Sequence, residues 1–318
     1  MKLISNIVFT KNRPLQLHAY LESLYKQFSQ KLIKTYIIYK VELFEQQYDE
    51  LFKQFPECVV IREKDFHGDF LNILSQVDTE YILFGVDDVV FFDSVDFNVI
   101  DSAFHQNADN IFGFALRFGP GSLEKSSDVI TPLWAGGQEI YRLNWKVGQT
   151  PHTRYPFELC STFYKTELVR YIMAGLLNNN PVIRTLFSPS SLLIKAFAKI
   201  ALPRQILKSF GYFYSPNKLE SWPCRWCQNH KEQMPDFTYF QKLCAAAIQV
   251  NMVNTSTDNT HFGTQEHSVE ALNEKYKQGY RLNIDFEQRE KPSCLSGGEE
   301  FFEIFKKQQT KPMPTENS

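Results

Sequence analysis

"YILFGVDDVVFF", residues 81–92, decides how this chain is read. Apolar and aromatic residues run unbroken into Asp87-Asp88 and then resume as Val89-Val90-Phe91-Phe92. Such a run reads as a buried strand. Adjacent ionised carboxylates in that place are costly unless they are paired or hold a cation. The plainer reading is a polar turn, or an N-cap for a helix over residues 94–105.

The surroundings favour a strand end in an α/β sheet. "LISNIVFT" at 3–10 reads as a first strand, stopped by "KNRP", and Pro14 opens a helix through about Tyr25. "TYIIYK" at 35–40 is a second strand, followed by a helical 42–55, and "CVVIRE" at 58–63 is a third. A short helix around 69–77 leads into the strand at 80–86, and "NIFGFALRFG" at 110–119 is a further strand. This alternation predicts the α/β class, with a mainly parallel central sheet flanked by helices. Right-handed crossovers put the functional loops at the carboxyl ends of the strands, where Asp87-Asp88 falls.

Beyond Gly121 the pattern is less regular. Residues 121–153 carry turn residues and scattered tryptophans with no clean period. A strand is expected within 155–164, a helix over 165–177, a late strand within 245–254 and a helix over 268–278. The tail from about residue 291 is polar and is expected to be mobile.

Composition narrows the classes. The chain has 318 residues, 43% hydrophobic and 22% charged, which supports a sizeable core and argues against global disorder. A net charge of −2 gives no electrostatic case for nucleic acid as a partner. Six sparse cysteines read as reduced thiols of a cytoplasmic protein. Lys11 and Arg13 interrupt the first apolar run, which does not read as a signal peptide, and no stretch has the roughly 18 apolar residues of a membrane span.

Two carboxylates beside a diphosphate repel it unless a divalent cation lies between, and Mn²⁺ or Mg²⁺ prefers hard oxygen ligands of this kind. One aspartate can hold the metal while its neighbour, pointing the other way, accepts a ribose hydroxyl.

Here the chain resembles a known family. "IVFTKNRPLQLHAYLESL" looks like the opening of family-2-like nucleotide-sugar glycosyltransferases with the glycosyltransferase A fold, and "TEYILFGVDDVVF" is similar to their acidic motif. The likeness covers residues 3–119 and continues more weakly through 155–168, 215–220 and 259–282. It implies a Rossmann-like donor half and transfer of a sugar from a nucleotide diphosphate sugar to an acceptor hydroxyl, in glycan or polysaccharide biosynthesis. By resemblance, Thr10, Asn12 and Arg13 match the first nucleotide-contacting loop. Asp87 matches the position facing the ribose or the metal, and Asp88 the principal metal ligand. The second strand ends in Tyr39-Lys40 where many relatives place an acid against the base, and Asp65 is the substitute from the next loop. Cys160-Ser161 stands where related chains often show Asp-Gly.

The remaining candidates come from the residues and, for the histidines, from the resemblance. His261 and His267 lie in a polar loop after the last expected strand, from which members of the fold class often bring a histidine to the metal; His261 is the metal candidate. Glu220 and Glu158 are the candidate general bases, which an inverting transfer needs within reach of the acceptor hydroxyl and a retaining one does not. Cys224-x-x-Cys227 with His230 and Cys244 resembles half a zinc site. Trp134, Trp145, Trp222 and Trp226 could serve as sugar platforms or as core. Lys195, Lys199, Arg204 and Lys208 within 190–208 fit a helix on an anionic membrane, which would place the protein at its inner face, or a cover helix with a solvated basic side.

The expected division is a donor region over 1–119, an acceptor region over 120–285 and a tail over 286–318. Two other functions share parts of the pattern. A sugar nucleotidyltransferase would also use an acidic metal pair, but normally follows its first strand with a glycine-rich loop, absent from "TKNRP". A carbohydrate-binding protein with a relict site would bind without turnover.

Overall fold

β1 (Ile4–Lys11) is buried from Ile4 through Thr10, the signature of a strand covered on both faces. Parallel neighbours flank it: β2 (Ile33–Lys40) on one side and β4 (Tyr81–Val86) on the other, with β3 (Val59–Arg62) beyond β2. The crossovers between them are α1 (Pro14–Gln27), α2 (Glu45–Gln54) and α3 (Phe66–Gln76). The computed structural model describes residues 3–107, 110–119, 129–178, 213–253, 264–286, 291–292 and 296–306.

The chain continues through β5 (Val89–Phe91), α4 (Phe97–Gln106), β6 (Ile111–Ala115), β7 (Ile130–Ala135), β8 (Gln138–Leu143), β9 (Thr162–Lys165) and α5 (Thr166–Asn178). The later elements are α6 (Pro216–Asn229), β10 (Asp236–Tyr239), β11 (Ala245–Ile248), α7 (Val269–Lys277), β12 (Tyr280–Leu282), β13 (Ser296–Gly297) and β14 (Ile304–Lys306). Nine strands form one sheet in the order β3-β2-β1-β4-β9-β6-β10-β8-β7. Among the described strands of this sheet, only β8 and β9 run against the others. The α/β class with a mainly parallel sheet is therefore observed.

Two apolar layers cover the sheet. One packs α1, α2, α4 and α7 through residues such as Leu24, Tyr48, Phe104 and Leu272. The other packs α3, α5 and α6 through Phe70, Ile172, Trp226 and Leu219. Phe84 on β4 joins the second layer, with ring centroids 6.2 Å from Phe70, 5.8 Å from Phe157 and 6.0 Å from Tyr164. The strand that carries the acidic pair is thus anchored by rings, each contributing about 1.5–3 kcal/mol on burial.

Four features depart from the expected pattern. Residues 130–143 form a hairpin whose turn, Gly136-Gly137, has φ of 56° and 82°, the positive values a tight two-residue turn needs. Pro132 sits within β7, tolerated because β7 is the edge strand. "SPNKLE", a stretch with no expected element, opens a 14-residue helix despite Pro223 inside it. β9 inserts between β4 and β6, so residues beyond 119 complete the same sheet. The expected tail is structured in part, since β13 pairs with β11 and β14 with β12. Residues 190–208, the expected basic amphipathic segment, lie outside the described residues. No helix of the described residues is long and apolar enough to cross a membrane.

Candidate active site

The loop after β1 is built before any ligand arrives. Asn12 turns the chain with φ of 54°, a left-handed conformation that asparagine tolerates. Its Oδ1 accepts from the backbone N–H of Glu42 at 3.0 Å and of Leu43 at 3.2 Å. Thr10 Oγ1 shares a hydrogen bond with the Tyr48 hydroxyl at 2.8 Å, and the Arg13 backbone N–H donates to that hydroxyl at 2.9 Å. Tyr48 is fully buried on α2, so this helix fixes the loop from below. Pro14 then starts α1 without a side-chain cap.

Asp87 and Asp88 form the turn between β4 and β5. Gly85, two residues earlier, is required by packing: a Cβ there would lie 2.0 Å from the Tyr20 hydroxyl oxygen, which donates to Asn6 Oδ1 at 2.7 Å. The helix-cap reading of the pair does not hold, because α4 is capped by Asp96, whose Oδ1 accepts from Asn98 N–H at 2.9 Å.

Arg13 meets both carboxylates. Its Nη1 donates to Asp87 Oδ1 at 2.9 Å and to Asp88 Oδ2 at 3.2 Å, and its Nη2 donates to the Asn251 carbonyl. Asp87 Oδ2 also accepts from Lys11 N–H at 3.4 Å. Arg13 is 8% exposed and Asp87 4%. Burial works against the Arg13 charge, but Asp87 and Asp88 outweigh it and hold the guanidinium above its ordinary pKa. Burial pushes the Asp88 carboxyl up to about 6; Arg13 opposes the rise and Asp87 adds to it.

One guanidinium against two carboxylates, Asp87 buried and Asp88 half-buried, leaves a negative charge. Arg13 uses one oxygen of Asp88, and the other has no partner from another residue among those described. The donor set is hard oxygen, anionic and short of positive charge, which fits a divalent cation at Asp88 with Asp87 beside it.

The C-terminal region reaches the same place. Asn251 Nδ2 donates to the His267 carbonyl at 2.8 Å, and Gln16 Nε2 donates to Asn251 Oδ1 at 3.3 Å. The His267 ring bonds back to Thr264 in a reciprocal cap and lies 3.6 Å from Glu299. His261 lies outside the described residues.

Glu158, Glu220 and Arg117 form a second charged group. Glu158 is 1% exposed, and its carboxylate accepts from Arg117 Nε and from the Thr162 hydroxyl. Burial raises its pKa against the pull of Arg117. Glu220, half-buried on α6, accepts from Leu159 N–H at 3.4 Å. Burial, helped by Glu158 and opposed by Arg117, pushes its carboxyl up to about 7. Burial pushes the Cys160 thiol well up; Arg117 opposes the rise, and Glu220, Glu158 and Asp88 add to it.

Ser161 follows with φ of 64°, a buried side chain and a hydroxyl with no hydrogen-bond partner. A non-glycine residue held left-handed costs about 1–2 kcal/mol. Ser161→Gly is therefore expected to raise the melting temperature by about 2 °C. An unchanged or lower melting temperature would show that the conformation carries no strain.

Other candidates are placed elsewhere. Asp65 caps α3, accepting from Gly68 N–H at 3.0 Å. Trp145 and Trp226 are core residues, Trp134 is 65% exposed on the edge hairpin, and Trp222 is half-buried beside Phe213 and Tyr214. Cys224 and Cys227 face the core, and His230 stacks on Trp226 at 4.1 Å, so they form no metal-ligand group with Cys244 among the described residues. Glu80, Asp101 and His105 offer ligand atoms within 4.8 Å of one another, but at the amino end of β4, away from Asp87. Sequence reasoning missed Tyr48, Arg117 and Asn251, whose roles rest on contacts 35 or more residues apart for which no local pattern exists.

Compared with known proteins, the chain matches no family model. It is 24% identical over 194 residues to the bifunctional glycosyltransferase pgtA of Dictyostelium discoideum, a match spanning 54% of this chain and 25% of that relative. Among solved structures it is similar to S. aureus TarS 1-349 in complex with UDP-GlcNAc, with a TM-score of 0.44 and 13% identity over 82% of this chain and 62% of that one. The mannosyltransferase PcManGT from Pyrobaculum calidifontis, in complex with GDP-Man and Mn2+, gives a TM-score of 0.27 and 12% identity over 35% of this chain and 34% of that one. Likeness at these levels leaves the fold to rest on the strand order itself. The chain spans about a quarter of the sequence relative, which is a glycosyltransferase by name and so agrees with the resemblance drawn from the motifs.

Proposed function

We propose that the protein is a glycosyltransferase that moves a sugar from a nucleotide diphosphate sugar to an acceptor hydroxyl. The observation that carries this reading is the Asp87-Asp88 turn at the carboxyl end of β4, bridged by Arg13 from the loop after β1. This is the crevice that an open α/β sheet offers to a nucleotide.

Thr10, Asn12 and Arg13 form the donor loop, with Asp87 directed to the ribose or the metal. Asp88, with Asp87, would hold Mn²⁺ or Mg²⁺, which supplies positive charge to the departing diphosphate. Arg13 adds a second cation on the same side. Glu220 is the base: it accepts the acceptor hydroxyl's proton as the new glycosidic bond forms and the bond to the diphosphate breaks. Assigning a base commits the reaction to direct displacement with inversion at the anomeric carbon. Glu158, closed off by Arg117 and Thr162, positions the segment that donates to Glu220. Trp222, half-buried on the same helix beside Phe213 and Tyr214, is the ring assigned to the acceptor. A role in glycan or polysaccharide synthesis follows from an acceptor of that class.

Release of nucleoside diphosphate from a panel of nucleotide sugars tests the activity, and the anomeric configuration of the product by NMR tests the base. Arg13→Gln is expected to weaken donor and free nucleoside diphosphate alike, by about tenfold, since it removes the cation that stands against the acidic pair where the diphosphate is proposed to bind. Unchanged diphosphate affinity by calorimetry would leave Arg13 with only its structural pairing to Asp87 and Asp88.

A further inference from the structure

A second cleft, of about 270 Å³, is lined by Trp145, Lys146, Arg154, Gln228 and Lys231. It lies at the amino end of the parallel strands: Trp145 Nε1 donates to the Pro235 carbonyl at 2.7 Å, immediately before β10 begins at Asp236. The acidic pair sits at the opposite, carboxyl end of β4.

Charge in this cleft is unbalanced. The nearest buried acid, Asp236, is met by Arg142 at 2.6 Å and by Lys146 at 3.2 Å. Among the described residues, Lys231 meets no carboxylate but the exposed Glu232, at 4.0 Å, and none pairs with Arg154. Trp145 closes the floor of the cleft: its ring is buried and its N–H is already satisfied, so the exposed lining is polar and cationic. Lys146, Arg154 and Lys231 gathered in one polar cleft suit an oxyanion.

One stretch of chain links the cleft to Glu220. Gln228 Nε2 donates to the Arg154 carbonyl at 3.1 Å, and Leu159 N–H donates to Glu220 Oε1 at 3.4 Å. Residues 154–159 therefore run along α6 in the opposite sense, with the cleft at one end and Glu220 at the other. The helical rise from Glu220 to Gln228 is about 12 Å.

We infer that this cleft binds an oxyanion, phosphate or carboxylate, carried by the acceptor chain, with Gln228 of the cleft about 12 Å of helix rise from Glu220. The acceptor part of the inference rests on the glycosyltransferase reading; the anion site stands on the cleft's own residues. Arg154 and Lys231 are exposed, so replacing them leaves the core untouched.

Calorimetric titration of the full chain at low ionic strength, with glycerol 3-phosphate, glucuronate and glycerol, tests it. Binding of either anion but not of glycerol is expected, and the stronger of the two identifies the group. Arg154→Ala/Lys231→Ala should lose about tenfold or more of that affinity, while Arg13→Gln keeps it. Equal affinity in the double variant, loss in Arg13→Gln instead, or no anion binding would overturn the inference. If the anions bind as expected but no nucleotide sugar binds, the glycosyltransferase reading fails while the anion site stands.

Discussion

Asp88→Asn is expected to abolish sugar transfer and leave the fold intact. The amide keeps the size of the side chain but removes the anionic oxygen left over by Arg13. A divalent cation contributes several kcal/mol of charge stabilisation, so a loss of about 10³-fold or more follows. Arg13 keeps Asp87 at 2.9 Å, so the loop stays in place. Stability should move the other way. The Asp88 carboxyl is pushed up to about 6, above its unfolded value, so folding favours the protonated form. That contribution is present in acid and is lost as pH rises through about 6. Metal-free Asp88→Asn should therefore melt above the parent at pH 8, with the gap closing as the pH approaches 4, near the unfolded value. Turnover close to the parent's at saturating Mn²⁺ would remove Asp88 from the metal site.

Glu220→Gln is expected to lower the transfer rate by about 10²–10⁴-fold while donor affinity stays unchanged. The substitution keeps the shape and the acceptor for Leu159 N–H but cannot take a proton. In the parent, the rate should rise with pH and level off above about 7, as Glu220 loses its proton. Glu220 has a raised carboxyl pKa, so its stability contribution is largest in acid and is lost as pH rises through about 7. The Gln variant should lack both dependences. A loss of donor affinity with the rate unchanged would move residues 215–226 into the nucleotide pocket and turn the search for a base to Glu158.

The donor half is legible in the sequence because its signals are local. Pro14 marks the start of α1, short apolar runs mark β1, β2 and β4, and "GVDD" interrupts the longest of them. Asp87 and Asp88 stand out there by charge alone. What the sequence does not disclose is pairing across distance. Arg13 meets Asp87 across 74 residues and Asn251 across 238, and neither partner leaves a trace in the spacing near Arg13. The β7–β8 hairpin carried a readable signal in Gly136-Gly137, but Pro132 obscured the strand before it. Ser215-Pro216 likewise announced α6, and Pro223 masked its length. The strand in 155–164 was expected, but its antiparallel insertion between β4 and β6 is a property of the sheet, not of the residues.

The central claim is that the crevice at Asp87-Asp88 binds a nucleotide diphosphate sugar together with a divalent cation. Thermal unfolding of the full chain across a panel of nucleotide sugars, with and without Mn²⁺, tests it most directly, because a bound donor stabilises the folded state by mass action. The account predicts that at least one nucleotide sugar raises the melting temperature, that Mn²⁺ enlarges the rise, and that Asp88→Asn removes the Mn²⁺ enhancement. A panel in which no nucleotide sugar shifts the melting temperature, with or without Mn²⁺, would contradict it.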